Sequence, residues 1–455
     1  MSDTTADATP VYLIPENAFE NWIAEAPAHV RAWAAACAYK GGAGRHLAVP
    51  GENGELGCVL AGLSDPASLW DTGALARALP AGDYALAGDL DAATAESAAL
   101  GWRLGAYEFD RYKASAASAA VLRMPESIDA GKVAAFADAT ILVRDLINTP
   151  ANDLGPGALA DAARTLAETF GAEFAVTVGE DLLKNNYPAI HAVGRAADDA
   201  PRLIEMTWGD PAHPTVALVG KGVCFDSGGL DIKPAAGMKL MKKDMGGSAH
   251  VLGIAHCVMA LGLKVHLKVL IPAVENAISG NAMRPLDVVR TRAGITIEIG
   301  NTDAEGRVIL ADALTRAGEF EPEVVIDFAT LTGAARVALG TELPALFCND
   351  DGFAEDILTA GTQVLDPLWR MPLWPGYRKM IEGKVADITN APDGGYAGAI
   401  TAALFLERFA PENAGWAHID VMAWNVSSKP GRPEGGEAMG MRAFAEMLTR
   451  KYGRA

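Results

Sequence analysis

From residue 215 onward, apolar segments with strand character alternate with segments of helical periodicity. Alternation of this kind predicts a largely parallel sheet covered by helices on both faces. Because ligands in such folds bind at the carboxyl ends of strands, polar side chains that follow a predicted strand are candidates for a functional site. The predicted strands are residues 215–225, 265–273, 296–300, 324–331 and 416–422, and the predicted helices are residues 246–261, 305–317 and 399–409.

The chain has 455 residues, more than one hydrophobic core usually supports. Residues 1–125 combine short apolar strands with Ala-rich helical stretches and predict a small N-terminal α/β domain. Residues 126–150 predict a connecting helix that stops before Pro150. Residues 151–455 predict a larger C-terminal α/β/α domain with a mostly parallel, mixed central sheet. We expect the catalytic centre in this second domain.

Bulk composition argues against several classes of protein. The formal net charge is −19 and the isoelectric point is about 4.9, so neither nucleic acid nor a membrane surface is an expected partner. Five dispersed cysteines without a CxxC pair argue against a disulfide framework and a thiolate zinc site. The acidic N-terminus lacks the features of a secretory signal, and no segment resembles a membrane span. We therefore expect a cytoplasmic enzyme.

Two acidic segments follow predicted strands. Residues 301–307 read Asn-Thr-Asp-Ala-Glu-Gly-Arg and place Asp303, Glu305 and Arg307 where a strand ends and a helix begins. A single carboxylate at such a position is usually a helix cap, but this density of acid requires a cation. We interpret the two segments as halves of one metal site. The upstream half, residues 219–244, contributes Lys221, Asp226, Lys233 and Asp244.

The charges of these side chains predict a dinuclear centre. Two divalent ions would balance four carboxylates, whereas one ion would leave an uncompensated negative pocket. There is no HExxH motif, and no histidine shows ligand spacing, so a single structural zinc is not expected. Two metal ions can lower the pKa of a shared water so that hydroxide is available near neutral pH. The four carboxylates are those of Asp226, Asp244, Asp303 and Glu305.

The basic residues of the two segments have separate predicted uses. A lysine can bind a metal only as the neutral amine, which a nearby dication can enforce. A lysine that stays protonated, such as Lys233, can stabilise the oxyanion that forms from a scissile carbonyl. Arg307 offers a planar fork suited to a carboxylate or an oxyacid.

The wording and order of these motifs resemble the leucyl aminopeptidase family, also called the cytosol aminopeptidase or M17 family. The resemblance runs from about Arg144 to the C-terminus, and the first 125 residues show no matching motif. It is carried by Gly220-Lys221-Gly222, Phe225-Asp226-Ser227-Gly228-Gly229, Ile232-Lys233-Pro234, Lys243-Asp244-Met245-Gly246-Gly247 and 301–307, with further similarity in 144–152, 329–334 and 399–406.

The resemblance implies a role for each of these residues. One metal site would use Lys221, Asp226, Asp244 and Glu305, and the other would use Asp226, Asp303 and Glu305. The cofactors would be two divalent ions per subunit, zinc or manganese, with a bicarbonate ion at Arg307 as the general base. Lys233 would polarise the scissile carbonyl. The pocket for the first side chain would be lined by Met241, Thr330, Leu331 and Gly333.

The implied activity is removal of N-terminal residues from peptides with a free amino terminus, by metal-bound hydroxide. The implied assembly is a homohexamer. Three alternatives stay open: a dipeptidase of narrow specificity that uses the same metals, a DNA-binding accessory protein, and a catalytically silent relative. The net charge disfavours the second, and the full set of ligands disfavours the third. The lysine-containing run 239–243 favours a solvated surface or a face through which substrate enters.

Overall fold

A computed structural model describes residues 8–64, 67–114 and 118–453. It divides into two compact units, Met1–Ile141 with Asn425–Glu434, and Leu142–Trp424 with Gly435–Ala455. The division falls inside one long helix, which covers most of the predicted connector. Within the described residues, no helix is long and apolar enough to cross a membrane.

The first unit is built on a five-stranded sheet with the order β2-β3-β1-β4-β5. The pairs β3–β1, β1–β4 and β4–β5 are parallel, and β2 runs antiparallel to β3 at one edge. The strands are β1 Thr9–Pro15, β2 His46–Pro50, β3 Leu56–Leu63, β4 Gly82–Ala87 and β5 Ala120–Arg123. The helices are α1 Phe19–Glu25, α2 Ala28–Ala36, α3 Leu75–Ala78 and α4 Ala92–Ala106, followed by the long helix α5 Ala130–Asn148.

The second unit contains the larger sheet, and its elements are as follows. The strands are β6 Glu173–Val178, β7 Arg202–Trp208, β8 Thr215–Gly220, β9 Gly222–Asp226, β10 His266–Asn276, β11 Val288–Arg290, β12 Thr296–Glu298, β13 Val324–Ala329, β14 Ala345–Cys348, β15 Trp369–Arg370, β16 Ile388–Thr389, β17 Gly415–Asp420, β18 Trp424–Asn425 and β19 Gly435–Gly436. The helices are α6 Pro156–Phe170, α7 Asp181–Lys184, α8 Pro188–Gly194, α9 Ala235–Met238, α10 Gly246–Ala260, α11 Glu305–Gly318, α12 Gly333–Leu339, α13 Asp351–Gln363, α14 Gly398–Glu407 and α15 Met441–Tyr452.

The order of the larger sheet is β15-β14-β17-β13-β8-β10-β7-β6, and β9 also pairs with β10. The four central strands β17, β13, β8 and β10 are parallel, whereas β14 and β7 join them antiparallel. Helices α6, α10, α13 and α15 pack together as one layer, and α8, α11, α12 and α14 form another. The α/β class and the mostly parallel, mixed sheet predicted from the sequence are confirmed.

One predicted strand is divided. Residues 215–225 form two strands, β8 and β9, with a break at Lys221. The backbone N–H of Lys221 donates to Phe328 O at 3.0 Å instead of continuing along β10. Gly220 permits this break, because a Cβ atom there would lie 2.6 Å from Ser248 Cα. The other predicted strands and helices match observed elements to within a few residues.

Candidate metal centre

The predicted metal ligands lie at the carboxyl-terminal edge of the central sheet. Asp226 is the last residue of β9, and Lys221 occupies the break between β8 and β9. Asp244 lies in a 3-10 helix directly before α10. Glu305 is the first residue of α11, and Asp303 lies in the loop before it. The parallel strands bring these distant segments to one edge of the sheet.

Asn276, at the end of β10, joins the two acidic segments. Its Nδ2 donates to Asp226 Oδ1 at 2.9 Å and to Thr302 O at 3.1 Å. Gly228 and Gly229 follow Asp226 with φ of 89° and 64°, a conformation that glycine adopts without strain. The backbone N–H of Gly228 also donates to Asp226 Oδ1, at 2.8 Å. Asp226 is therefore oriented from both segments.

Asn390 holds the loop that carries Asp303. Its side-chain oxygen accepts from the N–H groups of Gly300 and Asn301 at 2.8 and 3.2 Å. Its amide donates to Asn301 O at 2.7 Å and to Ala304 O at 3.2 Å. Asn390 is fully buried, so these four hydrogen bonds are shielded from competing water.

Two lysines each contact two carboxylates. Lys221 Nζ lies 2.7 Å from Asp244 Oδ2 and 3.0 Å from Glu305 Oε1. Lys233 Nζ lies 2.7 Å from Asp226 Oδ2 and also contacts Asp303 Oδ1 closely. Apart from Lys233 and Asp303, these side chains are almost completely buried. Two ammonium groups therefore face four carboxylates.

The pKa values of these groups reflect the excess of acid. Burial lowers the pKa of Lys221, but attraction from Asp244, Glu305 and Asp226 outweighs it, and the pKa is raised. Burial raises the pKa of Glu305, and repulsion from Asp226 raises it further. The same two causes raise the pKa of Asp303. Additional positive charge at this place would stabilise the ionised carboxylates.

The donor set fits divalent cations. Asp226, Asp244 and Glu305 each offer an oxygen, and these oxygens lie within 4.8 Å of one another. Both carboxylate oxygens of Glu305, Oδ2 of Asp244 and Oδ1 of Asp303 are buried and accept no hydrogen bond from any described residue, although three of the four contact an ammonium group. Buried acceptors in this state are expected where metal ions bind. Asp303 lies beside the three-carboxylate cluster, next to Lys233.

A cavity of about 600 Å³ opens onto these carboxylates. The residues predicted for the first side chain of a substrate, Met241, Thr330, Leu331 and Gly333, all line it. Thr330 Oγ1 donates to Asp244 Oδ1 at 2.8 Å, which links this wall to the metal ligands. The cavity and the carboxylate cluster therefore form one site.

Arg307 also lines the cavity, from the first turn of α11. Its Nη1 donates to Asn390 O at 2.7 Å, while its buried Nε has no hydrogen-bond acceptor among the described residues. A buried guanidinium with an unused donor can bind an anion.

Several residues of the site gave no signal in the sequence. Asn276 and Asn390 lie far from the motifs that they orient. Asp420, at the end of β17, lines the cavity and accepts from Thr332 Oγ1 at 2.5 Å. Lys243 and Arg336 also line it. A search for acidic or basic residues directly after strand ends, with the sheet order known, would have found only Asp420.

Some residues near the motifs are structural. The Asp231 carboxylate accepts from Thr302 N at 2.7 Å and does not line the cavity. Glu437 pairs with Arg144 through two bonds of 3.0 Å in the buried interior. His250 stacks on Phe328. No histidine is among the described residues that line the cavity.

Sequence profiles identify the domains. The catalytic domain of the cytosol aminopeptidase family, Peptidase M17, matches residues 141–445. The chain belongs to the M17 cytosol aminopeptidase family. The M17 aminopeptidase N-terminal domain matches residues 9–125, where the sequence alone offered no recognisable motif.

This M17 family member has curated relatives and solved structural neighbours. It is 46% identical over 314 residues to a probable cytosol aminopeptidase from Syntrophotalea carbinolica, covering 68% of this chain and 63% of the relative. The match with the Caulobacter vibrioides relative is 40% over 380 residues, covering 80% and 76%. The chain thus spans less than two thirds of the first of these relatives.

The structural neighbours cover the M17 family member almost completely. The crystal structure of the cytosol aminopeptidase from Coxiella burnetii superposes with a TM-score of 0.95 at 46% identity, covering 99% of each chain. The bottromycin maturation enzyme BotP in complex with Mn has a TM-score of 0.88 at 36% identity, covering 98% of this chain and 100% of BotP.

Proposed function

We propose that this protein is a metal-dependent aminopeptidase of leucyl type, which releases N-terminal residues from peptides that have a free amino group. The observation that carries the proposal is the buried cluster of Asp226, Asp244 and Glu305, which opens onto a cavity large enough for a peptide end. Membership of the M17 family supports the same reaction.

The proposed ligands divide into two overlapping sets. Lys221, Asp226, Asp244 and Glu305 would hold one divalent ion, and Asp226, Asp303 and Glu305 would hold the other. When bound, two such ions supply an activated water and polarise a carbonyl group. Zinc and manganese both suit this oxygen-rich donor set, and the manganese complex of the neighbour BotP supports the latter.

The remaining groups act on the substrate. Asp244 carries a negative charge at the inner end of the cavity and would bind the free α-amino group. Lys233 Nζ, held by Asp226 and Asp303, would donate to the carbonyl oxygen as negative charge develops on it. Arg307 would hold a bicarbonate ion through its unused donor, and this ion would accept the proton of the attacking water.

The first side chain of the peptide would occupy the wall formed by Met241, Thr330, Leu331 and Gly333. This wall combines apolar surface with the small Gly333, which leaves room for an aliphatic group such as that of leucine.

We propose a homohexamer located in the cytoplasm. Its support is the family and a set of large apolar side chains exposed on the described surface of the second unit, which an assembly would cover. They include Leu286, Val288, Trp369, Trp374 and Val385. Sedimentation analysis of the purified protein tests the assembly.

Hydrolysis of leucine p-nitroanilide tests the activity. Metal-stripped protein should be inactive, and added Zn²⁺ or Mn²⁺ should restore cleavage of the free-amine substrate but not of its N-acetylated form. Asp303→Ala and Glu305→Ala should lose activity and bound metal, whereas Glu355→Ala, on the exposed face of α13, should keep both. Full metal content and activity in the first two variants would refute the assignment.

A further inference from the structure

We propose that Lys243 and Arg336 form a binding subsite for a substrate carboxylate on the wall of the cavity. The inference rests on the proposed aminopeptidase function and names the class of peptide that the site selects. It is carried by two cations that line the cavity without a carboxylate partner.

Lys243 is the first of these cations. Only 5% of the residue is exposed, yet it lines the cavity. Its ammonium group has no ion pair or hydrogen bond with any described residue. A buried charge without a partner is costly, because the lost hydration is not replaced. A ligand that brings negative charge would replace it.

Arg336, in the first turns of α12, is the second cation. It lines the same cavity, and its Nη1 lies 3.8 Å from Met422 Sδ. Within the described part of the chain, no carboxylate lies at ion-pair distance from it. Its charge and that of Lys243 are close enough to repel each other. An anion between or beside them would relieve this repulsion.

The carboxylates on this wall are already engaged. Asp244 contacts Lys221 and accepts from Thr330 Oγ1. Asp420 accepts from the N–H groups of Leu331 and Thr332 at 3.0 and 3.1 Å. The counter-charge for Lys243 and Arg336 must therefore come from a molecule in the cavity.

The expected ligand group is a carboxylate. A guanidinium binds a carboxylate through two parallel hydrogen bonds, and an ammonium group adds a third donor. Gly333, on the wall proposed for the first side chain, lies beside Arg336: a Cβ atom on it would be 3.6 Å from Nη2. The carboxylate has two possible sources, an acidic first side chain or the α-carboxylate of a dipeptide.

Two substrate pairs distinguish the sources in the metal-loaded enzyme at pH 7. Glutamate and glutamine p-nitroanilides test the side chain, and Leu-Gly and Leu-Gly-amide test the α-carboxylate. For at least one pair, the charged member should have the higher kcat/KM. Arg336→Gln and Lys243→Met should each reduce this ratio by about tenfold or more, as expected for a hydrogen bond between charged groups.

Two variants serve as controls. Lys243→Arg keeps the charge and should preserve most of the ratio, which separates the loss of charge from disturbed packing. Arg290→Gln removes an exposed cation of β11 that does not line the cavity and should leave both ratios unchanged.

The subsite is refuted if both ratios change less than twofold in Arg336→Gln and Lys243→Met. If the metal-loaded protein cleaves none of the four substrates, the aminopeptidase proposal fails separately. Calorimetric binding of Leu-Gly and Leu-Gly-amide then decides the subsite: tighter binding of the acid that is lost in both variants supports it, and equal binding overturns it.

Discussion

Replacing Asn390 by alanine should weaken metal binding although Asn390 is not a proposed ligand. The substitution removes four hydrogen bonds to the loop that precedes α11, with donor–acceptor distances of 2.7 to 3.2 Å. At about 0.5–1.5 kcal/mol each, these bonds contribute roughly 2–6 kcal/mol. We expect the lower half of this range, because water from the adjacent cavity can reach some of the released backbone groups.

Part of this loss should appear in metal affinity. Loss of a residue that orients metal ligands typically weakens binding by about 10–100-fold, or about 1.4–2.8 kcal/mol. The assay is a chelator competition that gives the dissociation constants of Mn²⁺ and Zn²⁺, combined with kcat/KM at saturating metal. At saturating metal the activity should recover substantially, because the ligands themselves are intact.

Asn349→Ala is a matched control. Asn349 donates to Ala414 O at 3.1 Å and accepts from Trp416 N at 2.7 Å, at the start of β17 and therefore at the opposite edge of the sheet. It should lower stability without changing metal affinity. Dissociation constants of Asn390→Ala within twofold of the unsubstituted protein would refute the role assigned to Asn390.

Three further predictions concern the charged groups. Lys233→Met should lower kcat by about 10²–10³-fold while an equilibrium metal assay still finds bound ions; unchanged kcat would exclude an oxyanion role. Because the pKa of Lys221 is raised, its ammonium group must lose a proton to bind a metal, so affinity should rise about tenfold per pH unit for each proton released; calorimetry in buffers of different ionisation enthalpy measures that proton, and its absence would count against Lys221 as a ligand. Glu437→Gln should lower the free energy of unfolding by about 3–5 kcal/mol in urea because it leaves Arg144 buried without its charge partner, whereas replacing both residues by methionine should recover most of the loss.

The sequence predicted the site where its chemistry is local. Asp303, Glu305 and Arg307 share one strand-to-helix junction, and Lys221 and Asp226 follow predicted strands, so the rule that ligands bind at carboxyl ends brought them together. The cavity wall was reached only through resemblance, since Met241 and Gly333 carry no chemical signal of their own. Whether these residues have the proposed roles stays a prediction.

The residues that orient the site could not be predicted. Asn390 acts on a loop 86 to 90 residues away in sequence, and no local pattern relates the two. The run 239–243 was expected to form a solvated face or one through which substrate enters, but only part of it is exposed. Lys242 Nζ donates to Asn148 O, and Lys243 is buried. Burial of a lysine depends on which element covers it, which hydrophobic periodicity does not reveal.

The two bridging lysines have a consequence for how the enzyme acquires its cofactors. Lys221 and Lys233 already tie the four carboxylates together in pairs, so the acidic residues are held in place by charges that belong to the chain itself. Small zinc domains, by contrast, cannot fold until the ion arrives. Here the polypeptide can mature first and take up ions afterwards, and the supply of metal in the cell can set which ion it carries and when it becomes active.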